Sequence, residues 1–378
     1  MKWEKVKLGN VTDSCLGKML DQNKNKGDYQ PYLANVNVRW GEFDLEDLPL
    51  MKFEESEQER YELKYGDLVI CEGGEPGRCA IWKEQIPNMK IQKALHRVRV
   101  HDCLDYRYLF YWFLLAGKTG ELDQYFTGAT IKHMPGQKLK EVVIDKPPLE
   151  IQHRIADILS AYDDLIENNQ KQIKLLEEAA QRLYKEWFVD LRFPGHENTK
   201  IVDGVPEEWR KFPLEEIAPV VTGKKDANYG DKGGNYPFFT CSQETITAPG
   251  YSFDTSAVIL AGNGDFNVKL YRGKFEAYQR TYVLAPFDHS NLFNLYFTVQ
   301  DNMEALAKGA SGSTIKFLTK GMLQKILVLT ADKKVLDKFN DYEENIQQKV
   351  EALKKQVEDL TEIRNRLLPK LMSGEVEV

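Results

Sequence analysis

The string GATIKHM at residues 128–134 and the string GSTIKFL at residues 312–318 are nearly the same seven residues, 184 positions apart. Sliding the sequence against itself by that offset brings more than the strings into register. Upstream, RYLFYWF (107–113) lands on NLFNLYF (291–297), an apolar, helix-like stretch in both copies. Downstream, Ile155, Leu159, Tyr162, Ile166, Asn169, Ile173, Leu176, Ala180, Leu183 and Trp187 alternate spacings of four and three, the a/d seam of a coiled coil. The same offset gives Phe339, Glu343, Ile346, Val350, Leu353, Val357, Leu360, Arg364, Leu367 and Leu371, again mostly apolar. Pro147 and Pro148 precede the first helix and FPG (193–195) stops it, while Asp332 caps the second and Ser373-Gly374 ends it. At about 1.5 Å per residue each seam is roughly 48 Å long.

The first portions repeat more loosely, with an offset of 206: Trp3, Leu8, Gly17-Lys18 and Pro31 match Trp209, Leu214, Gly223-Lys224 and Pro237. An insertion near residues 41–65 accounts for the changed offset. Each copy contains a strand, a glycine turn and a second strand, in DLVICEGGEPGRCAIW (67–82) and AVILAGNGDFNVKLY (257–271). The expected fold is α+β, with two β-rich globular domains at 1–148 and 196–330 and two long helices at 149–195 and 331–378. Packing two similar units as equivalents gives a pseudo-two-fold, which makes the helices an antiparallel coiled coil.

With 378 residues, 42% of them apolar, the chain is long enough for more than one core. No apolar run approaches the eighteen or so residues that cross a bilayer, and MKWEKVKLGN has no signal-peptide core. Five scattered cysteines (15, 71, 79, 103 and 241) have neither disulfide density nor zinc spacing, which reads as a reducing cytoplasm and no metal. The net charge of −7 argues against a nucleic-acid partner until it is located: −3 falls on 149–196 and −2 on 331–378, leaving −1 on each globular portion. Each portion has room for a basic face beside acidic runs such as 54–59.

Catalytic readings fail one by one. LAGNGDF (260–266) lacks the G-x-G-x-x-G pattern and a βαβ context, and LLAGKTG (114–120) has Trp112 where a phosphate loop needs its first glycine. ELK (62–64) behind Asp44 and Asp47 imitates a metal-nuclease pattern but has no counterpart in the second copy. The six histidines show no ligand spacing and no repeated nucleophile partner.

The recurring polar residues suit DNA. Thr130 and Lys132, with Thr314 and Lys316, offer hydroxyl and ammonium groups to phosphates; a turn whose lysine points to solvent explains them equally well. Gln92-Lys93 and Gln279-Arg280 recur near the end of a β-like segment, where an amide can pair with adenine and a guanidinium with guanine; a cross-strand surface pair is the competing explanation. Lys18, Lys224 and Lys225, following glycines, and Asn35, Asn37 and Arg39 in LANVNVRW are weaker additions.

On these features the chain resembles the specificity subunit of type I restriction-modification systems, over essentially its full length. PPLEIQHRIADILSAYDDLIENNQKQIKLLEEAAQRLYKEWFVD resembles that family's central helix and LTEIRNRLLPKLMSGEVEV its C-terminal one. The resemblance implies two target recognition domains, each reading half of a split double-stranded DNA site, and no catalysis by the chain itself. It also implies two methyltransferase (modification) subunits using S-adenosylmethionine, and restriction/translocase subunits using ATP and Mg; the lack of a long apolar run adds the expectation of no membrane partner. The recognition domains are the variable part of the family, so no base-contacting residue carries over. Exposed apolar helix faces and Trp187-Phe188 are expected to await an interface. A reading from another class is a non-catalytic coiled-coil scaffold presenting two β-rich protein- or ligand-binding domains, favoured by the overall acidity.

Overall fold

The computed structural model describes residues 3–21, 25–312 and 316–378. The chain divides into two units, residues 1–170 with 355–378, and residues 171–354. No described helix is long and apolar enough to cross a membrane.

In the first unit, β1 (Glu4–Lys7), β2 (Thr12–Leu16), β3 (Asp28–Leu33) and β4 (Leu50–Phe53) precede the short α1 (Gln58–Tyr61). Then come β5 (Leu68–Cys71), β6 (Cys79–Ile81), β7 (Lys90–Ile91) and β8 (Leu95–Val100). An antiparallel sheet runs in the order β2-β8-β5-β6, and a second runs β4-β3-β7 with β3 and β7 parallel. The helix α2 (Tyr106–Thr119) starts at Asp105, whose carboxylate accepts from the amides of Arg107 (2.7 Å) and Tyr108 (3.0 Å). It stops at Gly120 in the left-handed conformation, φ 76°. Its residues 108–114 are all buried, because sheet residues such as Leu68 and Ile70 and the long-helix residues Leu159, Leu368 and Leu371 join them in one core. After α3 (Gly136–Glu141), β9 (Val143–Lys146) returns to pair with β1, and α4 (Leu149–Tyr184) begins.

The second unit starts with the β10 (Ile201–Val202) and β11 (Val205–Pro206) hairpin. The strand β12 (Arg210–Pro213), helix α5 (Leu214–Ile217), and strands β13 (Val220–Thr222), β14 (Tyr236–Phe239) and β15 (Ile246–Ala248) follow. The long strands β16 (Phe253–Ala261) and β17 (Val268–Ala277) lead to β18 (Thr281–Leu284). The helices α6 (Leu292–Asp301), α7 (Met303–Gly309) and α8 (Lys320–Gln324) and the strand β19 (Leu327–Thr330), paired with β12, lead into α9 (Lys333–Met372). Its sheet order is β13-β18-β16-β17-β14-β15. The parallel contact of β14 with the end of β17 repeats that of β3 with β7. The ten residues of β17 therefore do in one strand what β6 and β7 do in two, so two sheets of the first unit become one in the second.

The heptad prediction holds along both long helices: every seam position is buried or half-buried. Within each unit the paired numbers run in opposite senses. In the first, Asp163 pairs with Arg364, and Asn169 Nδ2 donates to Gln356 Oε1 at 3.2 Å. In the second, Glu177 pairs with Lys354 at 3.0 Å, and the Trp187 ring lies 5.7 Å from that of Phe339. The helix pairing is thus antiparallel in both. Asp332 caps α9 through the amides of Lys334 (3.0 Å) and Val335 (3.1 Å). The polar seam residue Arg364 is explained by Asp163, which also accepts from the Tyr111 hydroxyl at 2.6 Å.

One expectation is corrected. Trp187 and Phe188, on a π turn after α4, are not waiting for a partner: both are buried among Tyr184, Trp209, Phe297 and Phe339 within their own unit. Burying large aromatic surface is worth about 2–3 kcal/mol per side chain, so the unit consumes them as core.

Candidate nucleic-acid interface

The GATIK loop is closed by a reciprocal backbone pair, Thr127 N to His133 O (2.8 Å) and His133 N to Thr127 O (2.9 Å). The turn needs Gly128, whose φ is 94° and whose added Cβ would lie 2.2 Å from the Ile131 carbonyl. The next residue, Met134, donates its amide to Glu72 O at 2.7 Å, which fixes the loop to the glycine turn between β5 and β6. Glu72 in turn donates to Ala94 O (2.8 Å), Lys93 to Lys18 O (2.9 Å), and Gly17 to Leu95 O (2.9 Å). Four turns distant in sequence are thereby held together at one end of the sheet.

The second unit repeats this chain of bonds. Ser311 and Phe317 exchange backbone hydrogen bonds of 3.1 and 2.8 Å, and Leu318 donates to Gly262 O at 2.8 Å. Gly262 donates to Arg280 O (2.9 Å), Gln279 to Lys225 O (2.9 Å), and Gly223 to Thr281 O (3.1 Å). Gly17 and Gly223 leave no room for a side chain, since an added Cβ would stand 2.5 Å from Gln92 O and 1.9 Å from Ala277 O. The bonds also correct the alignment made from sequence. Gln279 occupies the place of Lys93 and Arg280 that of Ala94, so Gln92 and Gln279 are not counterparts; the structural partner of Gln92 is Tyr278.

Several sequence candidates are buried or half-buried. Lys18 is 3% exposed, its ammonium 2.5 Å from Glu57 and over the Phe53 ring, so it is consumed by the insertion and has nothing to offer a phosphate. Asn37 is buried and holds its own loop, accepting from the Ala34 amide (2.9 Å) and donating to Asp44 O (3.1 Å). Asn35 donates to Gly73 O at 3.0 Å and so braces the glycine turn. Gln92 is half-buried, its Oε1 3.3 Å from the Ala94 amide.

Others face solvent. Lys93, Thr130 and Lys132 are exposed in the first unit; Lys132 lies 3.7 Å from Asp123. Arg39 is exposed, donates to the Val36 carbonyl and sits 4.0 Å from Asp44. In the second unit Lys224, Gln279, Arg280 and Lys316 are exposed; Lys225 stacks over Tyr229 at 4.3 Å, and Gln279 donates to Asp226 at 3.3 Å. Thr314 lies outside the described residues. The exposed ion pairs are screened and individually weak, so a phosphate can displace them. Sequence reading missed Lys269 in β17, which donates to Ser242 O at 2.8 Å and whose ammonium is pushed down from its ordinary value by burial; the basic spacing in VKLYRGK was the available signal. Among the described residues no group of three or more His, Cys, Asp or Glu is placed to hold a metal ion.

Comparisons with known proteins bear on both units. The family model of the type I restriction modification DNA specificity domain matches residues 1–178 and again 206–359. The type I restriction enzyme EcoDI specificity subunit of Escherichia coli is 37% identical over 176 residues, 46% of this chain and 39% of that protein. The MjaIX specificity subunit of Methanocaldococcus jannaschii is 28% identical over 344 residues, 83% of this chain and 78% of that one. The crystal structure of the type I restriction-modification S subunit from M. genitalium shares the fold, with a TM-score of 0.64 at 18% identity over 98% of this chain and 96% of that one. Since the family match recurs on the two portions that carry the same four pinned turns, the chain belongs to the type I restriction modification DNA specificity domain family.

Proposed function

We propose that the chain is the sequence-reading subunit of a type I restriction-modification complex, each unit reading one block of a split duplex DNA site through its cluster of pinned turns. The observation that carries this is the recurrence of one backbone bonding pattern beneath different side chains, exposed Lys93 and half-buried Ala94 in one unit and exposed Gln279 and Arg280 in the other. A shared scaffold with unlike reading groups suits two unlike half-sites. Methylation and cleavage belong to modification and restriction/translocase subunits, which bring S-adenosylmethionine, ATP and Mg; this chain contributes recognition.

Lys132, Lys224 and Lys316 are the phosphate-contacting candidates, and Lys93, Gln279 and Arg280 are the base-reading ones. Binding to duplex DNA, measured by salt titration with the modification subunits present, should weaken steeply as salt rises. Lys132→Ala and Lys316→Ala should each weaken all sequences alike and lower the log–log salt slope by about 1. Gln279→Ala should instead relax one position of one block, at about 1–3 kcal/mol. A salt-independent affinity, or equal effects of the lysine and glutamine variants on all sequences, would reject these assignments.

A further inference from the structure

His96 in β8 stands in register between Leu16 of β2 and Ile70 of β5. Tyr282 in β18 stands in register between Thr222 of β13 and Leu260 of β16. The sheet thus makes these two residues counterparts, although imidazole and phenol share no chemistry that a sequence comparison would match. They make the same contact: His96 Nε2 lies 2.9 Å from Met134 O, and the Tyr282 hydroxyl donates to Leu318 O at 2.9 Å. Met134 and Leu318 are the residues that end the two GxTIK loops, and their amides are already fixed to Glu72 and Gly262. Each loop is therefore clamped at its last residue on both backbone groups. Because a carbonyl only accepts, His96 must carry its proton on Nε2, which leaves Nδ1 buried without a partner among the described residues. The geometry tolerates that orphan in order to hold the carbonyl. Met134 and Leu318 are themselves buried, and among the described residues no other hydrogen bond reaches their carbonyls.

We infer that His96 and Tyr282 are equivalent positioning residues that fix the two GxTIK loops on their sheets and set where Lys132 and Lys316 meet DNA. The second half of this rests on the function proposed above; the clamp itself does not. Amide hydrogen exchange of the full chain without DNA tests the clamp, and duplex binding by the chain with its modification subunits tests its consequence. Tyr282→Phe removes one oxygen and keeps the ring, so it should raise exchange at Ser311, Phe317 and Leu318 about tenfold while leaving Thr127, His133 and Met134 unchanged. His96→Met should do the reverse, and His96→Gln should restore protection because its amide nitrogen reaches the place of Nε2. Each loosened loop should cost about three- to tenfold in affinity for all sequences alike, because the lysine it places contacts phosphate. Unchanged exchange in Tyr282→Phe overturns the inference, even if His96→Met fails to fold. Raised exchange with unaltered DNA affinity also overturns it, by severing the clamp from binding. A native chain that binds no duplex at any salt defeats the proposed function instead, and the exchange result still decides the clamp.

Discussion

Glu343→Leu should stabilise the unit formed by residues 171–354 by about 3 kcal/mol at pH 8, and by only about 1 kcal/mol near pH 4.5. Glu343 occupies a heptad seam position of α9 where apolar residues belong; it is fully buried, and among the described residues neither carboxylate oxygen has a hydrogen-bond partner. Burial pushes its carboxyl up to about 8. A carboxyl whose pKa is raised on folding contributes stability below the unfolded value, near 4.3, and that contribution is lost as pH rises toward 8. Leucine is indifferent to pH and fills the seam, so its advantage grows across that window. Urea unfolding of both proteins at pH 4.5 and pH 8, followed by a probe in this unit such as Trp187 or Trp209, measures it. A gain that is the same at both pH values, or a loss at pH 8, would show that Glu343 is paired or solvated.

Exchanging residues 1–148 for the same segment of a relative with a different target should replace one block of the recognised site and leave the other intact. Affinity for the original site should fall about a thousandfold or more, toward the non-specific level, because half of the base contacts are gone. The expectation follows from the organisation of the first unit: its sheets, its pinned turns and its exposed Lys93, Thr130 and Lys132 all lie within the exchanged segment. The helix pairing of Asp163 with Arg364 and of Asn169 with Gln356 lies outside it. Competition binding with site variants measures the change. Loss of both blocks, or of neither, would contradict the assignment of one block to one unit.

What sequence made legible was what repeats with a fixed period. The two long helices are readable because a seam must return every three or four residues, and the GxTIK loops because Gly128 and Gly312 both take a positive φ that other residues resist. What escaped depends on contacts remote in the chain. Nothing near Lys18 announces that Glu57, 39 residues later, will neutralise it. The match of Gln92 with Gln279 followed residue identity, whereas the backbone bonds align Lys93 with Gln279. His96 and Tyr282 were invisible as a pair because one bond is made by two unlike side chains. The merger of two sheets into one hinges on whether residues 82–89 interrupt a strand, which the alternation of apolar residues alone does not decide.

Methylation mapping by long-read sequencing, in cells carrying this chain together with its modification subunit, decides whether each unit reads its own block. Two units with the same turn scaffold but different exposed residues predict a split and asymmetric motif: two short specified blocks separated by unspecified base pairs. A single contiguous motif, or a perfect palindrome, would contradict the account.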